Sequence, residues 1–323
     1  MATAENSLEE LLRTSPQASL FCQPWWLDCM CPGNWEYLKV VEAGVVQAAM
    51  PVHFKKSRHG IRTISQPQLT ATLGPILSPP TGKYYRQLST QMDQMKALIE
   101  LLPEADQIEL SFHHSLTNWL PFYWQKFQCT TSYTYILDDI SSSEHIWEGI
   151  KDNIRGDIKK ASKQLVLRDD LGVDEFYRVY SLTFLRQGMP VPVSLELLKK
   201  LSDEVRSRNT GQMYFAVDSS KKVHAVVFIV WHGSTAYYIL GGGDPELRKS
   251  GAHSFVIWEA LKLLSSQVKS FDFEGSMKPS IEQFFRAFGA RQAPILSVTK
   301  ENRKFQAFKL LQGTRHKFRS LLK

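Results

Sequence analysis

The sequence predicts an α+β fold made by tandem duplication, in which each half is a mixed, mainly antiparallel sheet flanked by helices. Three observations predict it. Residues 37–56 and 213–240 read as β-hairpins; a glycine-bearing segment and a helix-period stretch follow each one; and each helix then feeds a short strand, an aromatic helix and a returning strand. With an offset of 161 residues, Ser111, Phe112, His113 and Ser115 lie over Asp272, Phe273, Glu274 and Ser276, and Phe127 lies over Phe288. Self-similarity at a fixed spacing marks a repeated structural unit, carried here by pattern more than by identity.

Along the first copy, "YLKVVEAGVVQAAMPVHFKK" gives two β-type runs around a turn at Gly44. The glycine-bearing "LGPILSPPTGK" leads into the helix "YYRQLSTQMDQMKALIELL", the strand "QIELSFHHS", the aromatic helix "NWLPFYWQKF" and the return "SYTYIL". The second copy opens with "MYFAVDSSKKVHAVVFIVWHGSTAYYIL", whose turn is "DSSKK" and whose third strand is "TAYYIL". It continues through "LGGGDPELRKSGA", the helix "HSFVIWEALKLLSSQ", the strand "KSFDFEGS", the helix "PSIEQFFRAFGA" and the return "APILSV". In that last helix Pro279 suits the first turn and Gly289 a left-handed C-cap. Ile281, Phe284, Phe285 and Phe288 share a face that reads as core. The expected domains are 1–140 and 141–323, the second ending in a basic helical tail.

With 43% hydrophobic and 22% charged residues the chain is of globular rather than disordered type, and its length suits two domains. The N-terminal "MATAENSLEELL" lacks the basic and apolar regions of a signal peptide, which predicts a cytoplasmic protein. The longest apolar run, "AVVFIVW", is far short of the ~20 residues of a membrane span and reads as a buried strand. Cys22, Cys29, Cys31 and Cys129 form no CxxC pair and have no histidine at zinc spacing, so buried reduced thiols are expected and no metal site. No GxSxG elbow or HExxH motif supports a hydrolase or a metalloenzyme. The net charge is +7. All of the excess lies in 300–323, where eight bases face one acid. There Phe305, Phe308 and Leu311 recur at helical spacing, with Phe318 and Leu321 beyond them. This tail docks on the body, touches an anionic membrane surface or contacts RNA.

The order strand, strand, strand, helix, strand, helix, strand resembles the core of the GNAT acyltransferase fold. "WWLD" at Trp25–Asp28, "NIRGDIKKASK" at Asn153–Lys163, "FDFEGS" and "FFRAFGA" resemble segments of its FemAB-like branch, over nearly the whole chain. The resemblance implies an acyl donor whose phosphates meet the helix start in "RKSGAHS", where backbone N–H groups and the helix dipole favour an anion. Arg248, Gly251 and Ala252 fall there. Arg248 and Gly251 fit the loop pattern R/Q-x-x-G-x-G/A, whereas His253 replaces its last small residue. The resemblance also implies a splay between two central strands beside Gly241 and Gly242. The residues alone leave two readings of "GGGD": close approach of a substrate to the backbone, or a sharp turn.

Strand alternation puts Asp272 and Glu274 on one face, opposite Phe271 and Phe273. Two carboxylates at a strand end suit an amine nucleophile, which must be neutral and positioned to attack; the alternatives are a solvent face or a cap for the next helix. Lys151, Arg155, Lys159 and Lys163 form a basic stripe at i, i+4 spacing beside Ile150, Ile154, Ile158 and Leu165. It is either a solvated face or a contact for a phosphate-bearing substrate, to which Arg155 and Lys159 are assigned. His113 holds the equivalent corner of the first copy and is a candidate substrate contact. Tyr238 is a candidate proton donor to the leaving group.

Together these point to acyl or aminoacyl transfer from an activated donor to an amine, in cell-envelope or lipid and amino-acid conjugate synthesis. No tightly bound cofactor is expected. An acyl-thioester such as acyl-CoA is slightly favoured as donor over aminoacyl-tRNA, because the chain lacks the long coiled-coil hairpin that some FemAB-like proteins use for tRNA. The rival reading is a non-catalytic GNAT-like module that binds a polyanionic or envelope partner.

Overall fold

The structure, a computed structural model, describes residues 4–57 and 59–311. The chain divides into two compact units, one formed by residues up to Ser132 with the segment from Ile295, the other by Tyr133–Pro294.

The first unit begins with helices α1 (Ala4–Thr14) and α2 (Pro24–Met30). Strands β1 (Trp35–Glu42) and β2 (Val45–Lys56) then pair antiparallel. Their turn is Ala43–Gly44, both at positive φ (48° and 81°), the two-residue turn whose twist matches a hairpin. β3 (Arg62–Ile64) follows β2 antiparallel, and the two-residue β4 (Ile76–Leu77) also pairs β2. Helix α3 (Tyr84–Glu100) returns the chain to β5 (Gln107–Ser111), parallel to β3, and the short α4 (Leu120–Trp124) follows. Phe112, Phe122 and Phe127 pack ring to ring at 4.9 and 5.3 Å and anchor this core.

The second unit takes its first strand from the end of β6 (Gln128–Leu137). Helices α5 (Ser143–Gly149) and α6 (Asp152–Ala161) lead to β7 (Leu165–Arg168), then α7 (Val173–Leu185) and α8 (Leu195–Arg208). The hairpin β8 (Gly211–Asp218) and β9 (Val223–His232) is extended by β10 (Thr235–Gly243). Helix α9 (Ala252–Leu264), β11 (Ser270–Asp272) and α10 (Pro279–Arg286) complete the unit. The sheet order is β6-β11-β10-β9-β8-β7, and only β10 and β11 are parallel. β9 is buried continuously from Val223 to Val230 because α7 and α9 both pack on it, which explains its unbroken apolar run. Both units thus have the mixed, mainly antiparallel sheet read from the sequence.

The returning strands differ from expectation. Ile136 and Leu137 of "SYTYIL" pair with β11 in the second unit's sheet. The last strand, β12 (Arg291–Glu301), closes the first unit's sheet by pairing Ser297–Glu301 with β5. Either return offers a β-type ladder to an antiparallel neighbour, so the pattern of the repeat does not dictate which edge it joins. Residues 303–311 are helical. Lys304 reaches Asp106 and the carbonyl of Gly60, both at 3.0 Å, and Phe308 meets His59, so this segment docks on the first unit. Phe318, Leu321 and the last four bases lie outside the described residues. Among the described residues no helix is long and apolar enough to cross a membrane, no cluster suits a metal ion, and none of the four cysteines is in a disulfide.

Candidate active site

In the second unit the sheet opens where β10 and β11 part. The two strands pair only over Thr235–Tyr237 and Ser270–Asp272. β10 bulges beyond that point, since Tyr238 faces Ile229 while Leu240 already faces Phe228, and it runs on to Gly243 without β11 beside it. β11 stops because Glu274 and Gly275 both take left-handed backbone, with φ of 60° and 59°. Only glycine fits at 275: a Cβ there would lie 2.0 Å from the carbonyl oxygen of Tyr133. For Glu274, a non-glycine residue, this conformation costs on the order of 1–2 kcal/mol.

Asp272 holds that strained turn. Its carboxylate accepts hydrogen bonds from the Thr134 hydroxyl and, at 2.9 Å, from the backbone N–H of Glu274. It is buried, and burial lifts its pKa to about 6 against the relief that these hydrogen bonds give. The two acids therefore do not share a simple strand face. Asp272 points into the core and fixes the backbone, while Glu274 stands past the strand end.

A cavity of about 850 Å³ follows the opening. Glu274, Gly275 and Ser276 line one side, Tyr238 and the glycines of β10 another, and Ile281, Phe284 and Phe285 of α10 a third. Half-buried Glu274 has no hydrogen-bond or ion-pair partner for its carboxyl among the described residues, and burial with Asp272 nearby pushes its pKa well above the usual carboxylate range. α10 is more than core. Phe285 and Phe288 are buried as predicted, but Ile281 is 37% exposed and gives the cavity an apolar wall.

The glycine run is part of β10, and its reasons are packing reasons. A Cβ on Gly242 would stand 2.8 Å from the Cα of Tyr180, so α7 can lie close on the strand. A Cβ on Gly241 would stand 1.6 Å from the Tyr238 hydroxyl, which folds back over that position to meet His253 Nε2 at 2.9 Å. Burial raises the Tyr238 pKa well above its ordinary value and lowers that of His253 to about 4, so both are neutral at pH 7.

At the far end of β10, Arg186 and Arg248 line the cavity, and neither guanidinium has a hydrogen-bond or ion-pair partner among the described residues. Gly251 caps α9 at φ 78°, but it faces α6, where its Cβ would lie 2.5 Å from the carbonyl oxygen of Asp157. Ala252 lines the cavity, with its N–H donated to Ser250 Oγ at 3.3 Å. Arg155 is turned to Asp152 and the carbonyl of Trp147, and Lys159 lies 5.8 Å from the centre of the Trp147 ring. Neither lines this cavity. α6 instead borders a second one of about 700 Å³ through Lys151, Asn153 and Ile154, opposite Gln283 and Arg286. Lys163 falls beyond the end of α6. His113 belongs to the first unit, where its Nδ1 meets Ser115 Oγ at 2.8 Å and burial beside His114 drops its pKa to about 3.

Sequence reasoning missed Arg186, which sits just past a helix end in "FLRQGMP" with no local signal, and His224. The latter lines the cavity with Nε2 on Asp218 at 3.0 Å and a buried, unpartnered Nδ1.

Residues 150–287 match the family model described as an acetyltransferase (GNAT) domain. No curated protein matches the chain in sequence. Among solved structures, FemX superposes with a TM-score of 0.69 at 12% identity, covering 92% of this chain and 96% of FemX. A tandem GNAT protein from the clavulanic acid biosynthesis pathway gives 0.55 at 12% identity, covering 92% and 94%. The C-terminal domain of a lysylphosphatidylglycerol synthetase-type protein from Agrobacterium fabrum gives 0.55 at 11% identity, covering 96% and 95%. Residues 150–287 are therefore similar to a GNAT acetyltransferase domain, and the chain shares its fold with FemX and with a tandem GNAT protein.

Proposed function

We propose that the second unit transfers an acyl group from an activated, phosphate-bearing donor to an amine in the cavity between β10 and β11. The observation that carries this reading is the pairing of an unpartnered carboxyl, Glu274, with a neutral phenol, Tyr238, across one opening in the sheet. Burial raises both proton affinities, and the carboxyl, the stronger acid of the two, is the one that ionises to serve as base while the phenol keeps its proton to serve as acid. The amine nitrogen attacks the donor carbonyl carbon, its proton passes to the ionised Glu274, and the carbon–nitrogen bond forms. The bond to the leaving sulfur or oxygen then breaks, and the Tyr238 proton goes to that atom. Backbone N–H groups on the edge of β10 that β11 leaves free are available to the oxyanion. Asp272 acts through the backbone and supplies no proton.

Arg186 and Arg248 suit the donor's phosphates. Gly243 is four residues beyond Ile239, so at about 3.3 Å per residue the arginine end lies roughly 13 Å from the fork. The Ala252 N–H is occupied and His253 stands where the loop pattern has a small residue, which makes the arginines the stronger anion contacts here. A thioester such as acyl-CoA is the favoured donor. An aminoacyl ester of tRNA is the second reading, favoured by the likeness to FemX and to the lysylphosphatidylglycerol synthetase-type domain; with it the product would be an envelope or lipid conjugate.

Thermal unfolding with each donor tests this. A ligand at a hundred times its Kd adds about 2.7 kcal/mol. Acetyl-CoA is expected to raise Tm, and that gain should fall in Arg186→Gln and Arg248→Gln. A rise with charged tRNA alone moves the donor to the aminoacyl class, and no rise with either overturns the reading.

A further inference from the structure

Position 253 carries a histidine whose ring turns onto β10 instead of lying along its own helix. We infer that His253 is a positioning residue for Tyr238, fixing its hydroxyl at the fork between β10 and β11, with Gly241 as the gap this requires. The inference rests on the acyl-transfer reading and names a residue that neither the family pattern nor the sequence assigns to the site.

Three observations carry it. The Tyr238 hydroxyl lies 2.9 Å from His253 Nε2. Each ring is braced by a phenylalanine of α10: Tyr238 edge-to-face on Phe285 at 5.6 Å, and His253 on Phe284 at 5.4 Å. Finally, an alanine Cβ at 241 would sit 1.6 Å from the hydroxyl oxygen and 3.2 Å from His253 Cε1, so any side chain there would drive the two apart.

A phenol hydroxyl rotates freely about its C–O bond and takes whichever partner is offered. Water would compete for it in an open cavity. A half-buried imidazole braced by Phe284, with the backbone of Gly242 close by, is itself held, so it holds the phenol oxygen in one place. Catalytic proton transfer is sensitive to such placement, because an error of 1 Å at a reacting group costs about a hundredfold. In this arrangement His253 touches neither the donor nor the amine and acts only through the Tyr238 hydroxyl, which protonates the leaving sulfur or oxygen.

The test begins with the ligand-free full chain labelled with [15N]histidine, the His253 resonances being assigned by their loss in His253→Gln. Tyr238→Phe removes the hydroxyl, and Gly241→Ala displaces it without altering either partner. Both are expected to move the His253 Nε2 resonance in the same direction. Turnover of acetyl-CoA with an amine acceptor follows. Tyr238→Phe, Gly241→Ala and His253→Phe should each lower kcat by roughly 10- to 100-fold with KM for acetyl-CoA within about twofold. His253→Gln, which retains a hydrogen-bonding group, should recover part of the loss, and His253→Phe should add nothing in a Tyr238→Phe background. An Nε2 resonance unmoved by Tyr238→Phe overturns the inference. So does a His253→Phe enzyme of wild-type kcat, or losses that multiply in the double variant. If the wild type turns over no donor, it is the acyl-transfer reading that falls, and the spectra alone then decide for or against the contact.

Discussion

Glu274 combines three properties rarely found together in a surface glutamate: a left-handed backbone, a carboxyl without a partner and a raised proton affinity. Glu274→Gln keeps the size and removes the base. It is expected to lower kcat by about 10² to 10⁴ while leaving Tm unchanged or higher, since an isolated half-buried charge is lost. In the wild type the rate should climb as pH rises through the raised pKa and Glu274 ionises; the variant should lack that limb in a pH profile. Asp272 gives a different signal, in stability. Its folded pKa of about 6 exceeds the ordinary 3.8, so between those values the folded chain holds a proton that the unfolded chain has lost. Folding stability therefore falls as pH rises from about 4 to 6, by on the order of 3 kcal/mol, and Asp272→Asn should abolish that fall. His253 slopes the other way: with a folded pKa of about 4 against 6.5 unfolded, its contribution is full above pH 6.5 and is lost as pH falls toward 4. The two trends offset one another in the wild type. Subtracting the Asp272→Asn profile from that of the wild type removes the trends common to both, and a difference that stays flat between pH 4 and 6 would show that Asp272 is not buried as described. Both acids were legible as a pair at a strand end. Their separate roles were not, because the turn at Glu274 and Gly275 depends on Tyr133 and Thr134, about 140 residues earlier in the chain.

At the scale of elements, β10 determines the site through what it omits. "GGG" read equally well as a turn or as an approach for substrate. In the fold it is a strand on which one missing Cβ admits α7 and another admits the Tyr238 hydroxyl. Gly242→Ala should thus act through α7. The new methyl meets the Tyr180 backbone, which cannot rotate away, so a loss of about 1–3 kcal/mol is expected in denaturant unfolding. A stability equal to wild type would show that α7 does not lie this close. The hairpins, the two central helices and the proline-led α10 were legible because each is a local pattern of turn chemistry and periodicity. The double duty of α10 was not, since a helical apolar face reads the same whether a core or a cavity covers it. Ile281 and Phe284 line the opening, while Phe285 on the same helix and Phe288 just past its end reach the core.

The repeat shows what duplication reveals and what it conceals in the whole molecule. Offset alignment matched Phe112 with Phe273 and Phe127 with Phe288, and all four are buried anchors, Phe112 and Phe127 in the first unit's core and Phe273 and Phe288 in the second's. It did not show where the returning strands go, because strand pairing joins residues by ladder and not by order in the chain. This has a consequence for dissecting the protein. The second unit's sheet takes Ile136 and Leu137 of β6 as the antiparallel neighbour of β11, buries Tyr135 in its core, and uses Thr134 to hold Asp272. A fragment starting at 133 keeps all of these, whereas one starting at 141 leaves β11 with an unpaired edge and Asp272 buried without its hydroxyl donor. Residues 133–294 are therefore expected to unfold cooperatively on their own, while 141–294 should be less stable by several kcal/mol or fail to fold. Circular dichroism melts of the two fragments check this directly. Equal stability would mean that β6 is dispensable to the second unit, and that the turn presenting Glu274 is held by something other than the strand before it.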